Sequence, residues 1–120
     1  MVNVETAIRG YHVYQTVWKP AIGEEFISLH EKENGHDPHA MGVYYEGKLV
    51  GHLPKEASKY CHYFTLHNGN IRGRVTGRRK SSPAGGMEIP CLLTFAGSER
   101  IVTKMKQLLQ DLDSASVKVL

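Results

Sequence analysis

The rhythm of apolar and polar positions changes several times along the chain, and each change marks an element. Residues 8–17 are apolar and aromatic in type, with Tyr11, Val13, Tyr14 and Val17, and read as a first strand that Trp18-Lys19-Pro20 ends. Residues 25–31 alternate imperfectly as a second strand, Phe26 and Ser28 toward one face and Ile27 and Leu29 toward the other, so both faces are expected to be partly covered. Residues 33–39, rich in Gly, Asp, Asn and Pro, form a loop. Val43-Tyr44-Tyr45 and Lys48-Leu49-Val50 then make a hairpin, joined by Glu46-Gly47 with glycine supplying a positive φ.

Pro54 suits the first turn of a helix, where its missing N–H costs nothing, and Ala57, Tyr60, Cys61 and Phe64 share one helical face. Leu66-His67-Asn68-Gly69 closes that helix, with glycine at its end. Residues 71–79 return to period two, with Ile71, Gly73, Val75 and Gly77 on one side and Arg72, Arg74, Thr76 and Arg78 on the other. A loop over residues 81–86 leads to a last strand at 89–95. Ser98 caps a final helix on which Ile101, Met105, Leu108 and Leu112 keep helical spacing. Residues 113–120 are expected to fray. About six strands and two short helices, with glycines inside strands where sheets bend, define a mainly β fold: a small six-stranded bent sheet or an OB-like β-barrel.

At 120 residues the chain makes one domain, 1–120 with its core at about 8–112, and leaves no room for separate catalytic and binding lobes. It has no run of ~18 apolar residues, and residues 1–5 lack the basic start and apolar body of a signal peptide. A soluble, intracellular protein with no membrane contact is expected. Cys61 and Cys91 are expected to remain thiols. The net charge of +3 matters less than its distribution: residues 1–46 hold three basic and seven acidic side chains, while residues 47–87 hold eight basic ones and Glu56 as their one acid. A basic middle within a near-neutral domain points to a local patch that meets a polyanion.

The densest chemistry lies between Asn34 and Lys55. The loop Asn34-Gly35-His36-Asp37-Pro38-His39-Ala40 enters one strand of the hairpin and Val50-Gly51-His52-Leu53-Pro54-Lys55 leaves the other, so an antiparallel pairing brings the two onto one rim. Each of these residues also has an ordinary reading. Asn34-Gly35 and Asp37-Pro38 are turn formers whose side chains bond their own backbone, and His52 at a strand end is a satisfied structural histidine. Arg72, Arg74, Arg78 and Arg79 are charges that guard an exposed strand. Five cations between Arg72 and Lys80 with no intervening acid favour binding.

The order Gly23-Glu24, Leu29, Glu31, Asn34-x-x-Asp37-x-x-Ala40, Val43, Val50-Gly51-His52-Leu53, Ile89-Pro90 and Leu93-Thr94-Phe95-x-Gly97 resembles a HIRAN domain over roughly residues 10–110. The resemblance implies an OB-like barrel that captures the 3′-hydroxyl end of single-stranded DNA in repair or replication-fork processing, and hence a nuclear protein. It also implies that Asn34, Asp37, His52 and Lys55 hold the terminal nucleotide. Two aromatic positions of that pocket are occupied here by His36 and Met87, which keeps the polar grip and weakens the stacking platform. Physics supports part of this independently: a terminal hydroxyl is a donor and acceptor suited to Asn and Asp, cations neutralise the following phosphates, and rings stack on bases without reading sequence.

No GxSxG elbow, Walker loop, HExxH or recognisable Cys and His pair is present, so no enzymatic activity and no cofactor are expected. His36, His39, His52 and Asp37 invite a zinc hypothesis, but their spacing fits no strong motif and no metal site is expected. The leading expectation is a monomeric, non-catalytic module for single-stranded DNA. In it Asn34, His36, Asp37, His52 and Met87 stand at the strand end, and Lys55, Arg72, Arg74 and Arg78 lie along phosphates. The alternative is a protein-interaction barrel that keeps the frame but not the DNA pocket.

Overall fold

The computed structural model describes residues 1–82, 86–112 and 114–120. Period-two alternation over Val2–Ile8 buries Val2, Val4 and Ile8 and forms strand β1. Gly10 then takes the left-handed region at φ 75 and turns the chain into a 3-10 helix at Tyr11–Tyr14. The strand expected at residues 8–17 does not form: an unexpected strand ends at Ile8, and a helical turn takes the expected one's place. Tyr11 explains the break: its side chain is fully buried and its hydroxyl donates to the Trp18 carbonyl, which a strand could not arrange.

The remaining elements follow as β2 (Glu25–His30), β3 (Met41–Tyr45), β4 (Lys48–His52), α1 (Lys55–Leu66), β5 (Asn70–Val75), β6 (Lys80–Ser81), β7 (Met87–Ala96), α2 (Glu99–Asp111) and β8 (Lys118–Val119). Glu46 and Gly47 both have positive φ, 50 and 80, as a tight hairpin with a right-handed twist requires. Pro54 stands at the N-cap of α1, just before the first turn. At the other end Asn68, not Gly69, takes the positive φ, and the Gly69 N–H donates to the Phe64 carbonyl. Gly69 serves space instead, because a Cβ there would lie 2.3 Å from the Phe64 ring. On α2 the buried stripe is Ile101, Met105 and Leu109, four residues apart each time, with Leu108 and Leu112 only half-buried.

Among the described residues the eight strands form one antiparallel sheet in the order β4-β3-β2-β5-β7-β1-β8, with β6 beside β7. The sheet is strongly bent and is not closed into a barrel. One bridge joins its distant parts: Arg9, just after β1, exchanges both backbone hydrogen bonds with His52 at the end of β4, each 2.8 Å. Three of the strands were not expected: β1, which but for Ile8 lies before the residues assigned to a first strand, and the two-residue β6 and β8. Residues 114–120, expected to fray, instead return to the sheet, where Val119 pairs with Val4 and Val117 is buried. Residue 113 and residues 83–85 of the expected loop lie outside the described residues.

The inner face of the sheet carries Val4, Met41, Val43, Val50, Ile71, Val75, Leu93 and Phe95, closed by Ala57, Cys61 and Phe64 of α1 and by Met105 and Leu109 of α2. Arg9 and Glu56 clamp the start of α1 to the end of β1 through two hydrogen bonds (2.6 and 3.1 Å), and the Ser116 hydroxyl donates to the same carboxylate (2.6 Å). Burial pushes the Glu56 carboxyl up. Hydrogen bonds from Ser116, its own backbone and Arg9, with the Arg9 charge, more than offset this and leave it below its usual 4.5. No helix among the described residues is long and apolar enough to cross a membrane.

Gly73 lies under the Phe26 ring, and a Cβ there would come within 2.2 Å of it. Gly73→Ala is therefore expected to cost about 1–3 kcal/mol by overpacking, read from the urea midpoint; unchanged stability would mean the ring swings aside freely. Cys61 and Cys91 are free thiols, and burial pushes each up to about 12. Neither is expected to react with Ellman's reagent at pH 8 until guanidinium unfolds the chain, when both should.

Candidate nucleic-acid interface

The rim begins where β2 runs out. The Glu31 N–H donates to the Ala40 carbonyl (2.8 Å), closing the base of the loop between β2 and β3. Inside the loop Asn34 Oδ1 accepts from the N–H groups of His36 (2.8 Å) and Asp37 (2.9 Å), and Asp37 Oδ1 accepts from the N–H of His39 (2.9 Å). Both side chains thus do what turn formers do, and each keeps part of its capacity: Asn34 its amide hydrogens, Asp37 its second oxygen. His36 is exposed at the loop's tip.

The Asn34 amide donates to Glu31 Oε2 (3.3 Å), and His52 Nε2 donates to the same oxygen. One carboxylate therefore joins the loop to the end of β4. The register explains how. Leu29, Gly42 and His52 form one row across three strands, and Glu31 lies two residues beyond Leu29 on the same outer face. Gly42 lets its neighbours close over the row; a Cβ there would lie 2.8 Å from both the Tyr44 ring and Leu49 Cδ1. A bulge places His52 on this face: Val43 pairs with Gly51 but Tyr44 with Leu49, so Val50 is an extra residue that resets the alternation.

The Glu31 charge acts on two tyrosines. Partial burial and then the Glu31 charge raise the hydroxyl of Tyr14 above its usual 10.0, and Tyr44 is raised by burial, Glu31 and Tyr14 in that order. Glu31 and Tyr44 are the members that sequence reasoning did not select as site residues. The signal for Glu31 was its place on the period-two continuation of β2, but only the register reveals that it faces His52.

The other candidates are spread more widely. Lys55 is exposed at the first position of α1, three residues past His52. Met87 starts β7, where it is partly buried against the core; register places it across the Arg9 segment from His52, because Ile8 pairs with Ile89 and Arg9 with His52. Arg72 and Arg74 are exposed on the outer face, paired with Ile27 and Glu25 on β2. At ~3.3 Å per residue they stand about 13 and 20 Å along the sheet from Glu31. Together with Tyr44, Leu92 and Thr94 they line an open hollow of about 620 Å³. Neither arginine has an ion pair among the described residues. Arg78 is exposed in the link between β5 and β6.

His36, His39 and His52 do not converge. His39 meets His62 of α1 instead, Nδ1 to Nδ1 at 3.0 Å, and the His62 ring stacks on His30 at 3.7 Å. His30 Nε2 in turn donates to the Pro38 carbonyl (2.8 Å), so three imidazoles tie the site loop to α1. Among the described residues no group of three or more His, Cys, Asp or Glu side chains is placed to hold a metal ion.

Comparison with known proteins adds the fold. No protein-family profile and no curated protein sequence matches the chain. A crystal structure of the HIRAN domain of human HLTF matches with a TM-score of 0.74 at 21% identity, covering 93% of this chain and 89% of that one. The fold is that of a HIRAN domain. An NMR structure of the same human domain agrees, with a TM-score of 0.71 at 22% identity over 94% of this chain and 91% of that one. In this HIRAN fold the loop carrying Asn34 and Asp37 and the end of β4 carrying His52 meet at one rim of the outer face.

The histidine stack sets a pH dependence. Burial, then the charges of His30 and His39, lower His62 below its usual 6.5, so between the folded and unfolded values the unfolded chain binds more protons. That stabilisation is complete above pH 6.5 and is lost as pH falls. The lowered Glu56 adds a second loss below its usual 4.5. Thermal melts at pH 7.5, 5.5 and 4 should show Tm falling in both steps, and His62→Asn should remove the first; an identical pH profile in that variant would exclude the stack as its source.

Proposed function

We propose that this domain is a non-catalytic module that binds single-stranded DNA and captures its 3′-hydroxyl end, acting in repair or replication-fork processing in the nucleus. The observation that carries the reading is the junction of Glu31, Asn34 and His52, at the head of an outer face that continues past Tyr44 to Arg72 and Arg74. The resemblance to HIRAN domains supplies the ligand class, and the chemistry of the rim agrees with it. The amide hydrogen of Asn34 not given to Glu31 and the second oxygen of Asp37 are a donor and an acceptor for a terminal hydroxyl. Lys55 follows the rim at the start of α1, Arg72 and Arg74 are spaced for the phosphates of a strand that crosses the sheet, and Arg78 continues the charge in the link after β5.

Stacking shifts position relative to the family's pattern. With His36 and Met87 in place of aromatics, Tyr14 and Tyr44 are the aromatic rings whose hydroxyls feel the Glu31 charge. Each base stacked on such a ring is worth roughly 1–3 kcal/mol. A protein-docking reading has one observation in its favour: Ile27 and Leu29 are 44% and 51% exposed on this same face, and aliphatic side chains suit a peptide better than a base.

Fluorescence anisotropy with oligothymidines ending in 3′-hydroxyl or 3′-phosphate tests the proposal. The hydroxyl end is expected to bind about tenfold tighter or more, Asn34→Ala and His52→Ala to erase most of that advantage, and Arg72→Glu to weaken both ends alike with a shallower salt dependence. Equal affinity for the two ends removes end capture. Failure to bind either, with a partner protein retained after nuclease treatment, favours the docking reading.

A further inference from the structure

We propose that Glu31 is the residue that makes the rim select a hydroxyl over a phosphate at the strand end; this rests on the 3′-end reading above. Its Oε2 is occupied by Asn34 and His52, while Oε1 has no hydrogen bond among the described residues. The side chain is 23% exposed, so its charge is partly withdrawn from water yet still reachable from the rim. A free carboxylate oxygen beside an amide and an imidazole offers an acceptor to a group that can donate. A hydroxyl donates and accepts. A terminal phosphate only accepts, and it carries about −1.5 to −2 charges at neutral pH.

Among the described residues no cation is ion-paired with Glu31 other than through His52. Arg9, which runs alongside His52, is committed to Glu56 through both terminal nitrogens. Lys55 sits out on the start of α1, and Arg72 is four residues along the sheet by register. His52 turns its Nε2 toward Glu31 itself rather than toward the ligand. The field of the carboxylate reaches the surrounding groups, since it acts on the hydroxyls of both Tyr14 and Tyr44. Asn34 and Asp37 position the terminal sugar, and Glu31 decides which terminus is tolerated.

The test uses the full chain and fluorescein-labelled oligothymidines ending in 3′-hydroxyl, 3′-amine or 3′-phosphate, at pH 7.5. In the wild type the amine, a cation, is expected to bind at least as tightly as the hydroxyl, with the phosphate weakest. Glu31→Gln should narrow the hydroxyl-over-phosphate ratio about tenfold, the effect of deleting one nearby charge, while Glu31→Asp should keep it. A Glu31→Gln variant that weakens all three probes equally makes the residue a structural prop and overturns the proposal. So does a wild type that rejects the amine as strongly as the phosphate, since exclusion would then be by size; this arm needs no variant to fold. A wild type that binds hydroxyl and phosphate ends alike refutes the 3′-end reading itself, a different result from either of these.

Discussion

The pairing of Arg9 with His52 is the constraint on which the rest depends. Two backbone hydrogen bonds draw the end of β1 to the end of β4, strands that lie at opposite sides of the sheet order, and the sheet must bend to allow it. Gly51 makes the approach possible, because a Cβ there would lie 2.5 Å from Ile8 and 2.9 Å from the Arg9 carbonyl. The same junction launches α1, since Arg9 grips Glu56 one residue into that helix, and Ser116 adds the C-terminal segment to the clamp. Sheet curvature, helix placement and the orientation of His52 are thus one event rather than three.

What emerges on the outside is a face with two characters. Its head, around Glu31, is polar, with Asn34 and His52 both directed at one carboxylate oxygen. Its body is a row running Leu49, Tyr44, Ile27, Arg72 and Thr94 across five strands, in which aliphatic, aromatic and cationic groups alternate in the open. A polar head and a mixed, sequence-tolerant body suit the proposed role of recognising where a polymer stops while ignoring what it spells. The same body explains why a peptide remains a chemically sensible competitor.

The loop that carries Asn34 and Asp37 is held from two sides by different physics. Toward the sheet, hydrogen bonds to its own backbone fix its shape whether or not a ligand is present. Toward α1, a stack of imidazoles holds it by ring contact and a shared proton. Preorganisation of this kind lowers the ordering cost of binding, and it makes the ordinary turn-forming role of these residues compatible with a recognition role rather than an alternative to it.

Much of the local structure was legible in the chain. The Glu46-Gly47 hairpin, the helix after Pro54, the Ser98 cap and the alternation of Ile71, Gly73 and Val75 all follow from rules that act within a few residues, where sterics and hydrogen bonding leave little choice. The rim itself was legible as a meeting of two loops. Other features were decided only by contacts distant in sequence. Burial of Tyr11 against Trp18 overrode the strand-like composition of residues 8–17, and β1 and Glu56 recruited a tail that looks free in isolation. The bulge at Val50 turned His52 onto the face that carries Glu31. Side-chain direction on a strand flips with every residue, so a single inserted position changes which groups face each other, and that insertion is set by the pairing of strands rather than by the residues that lie within them.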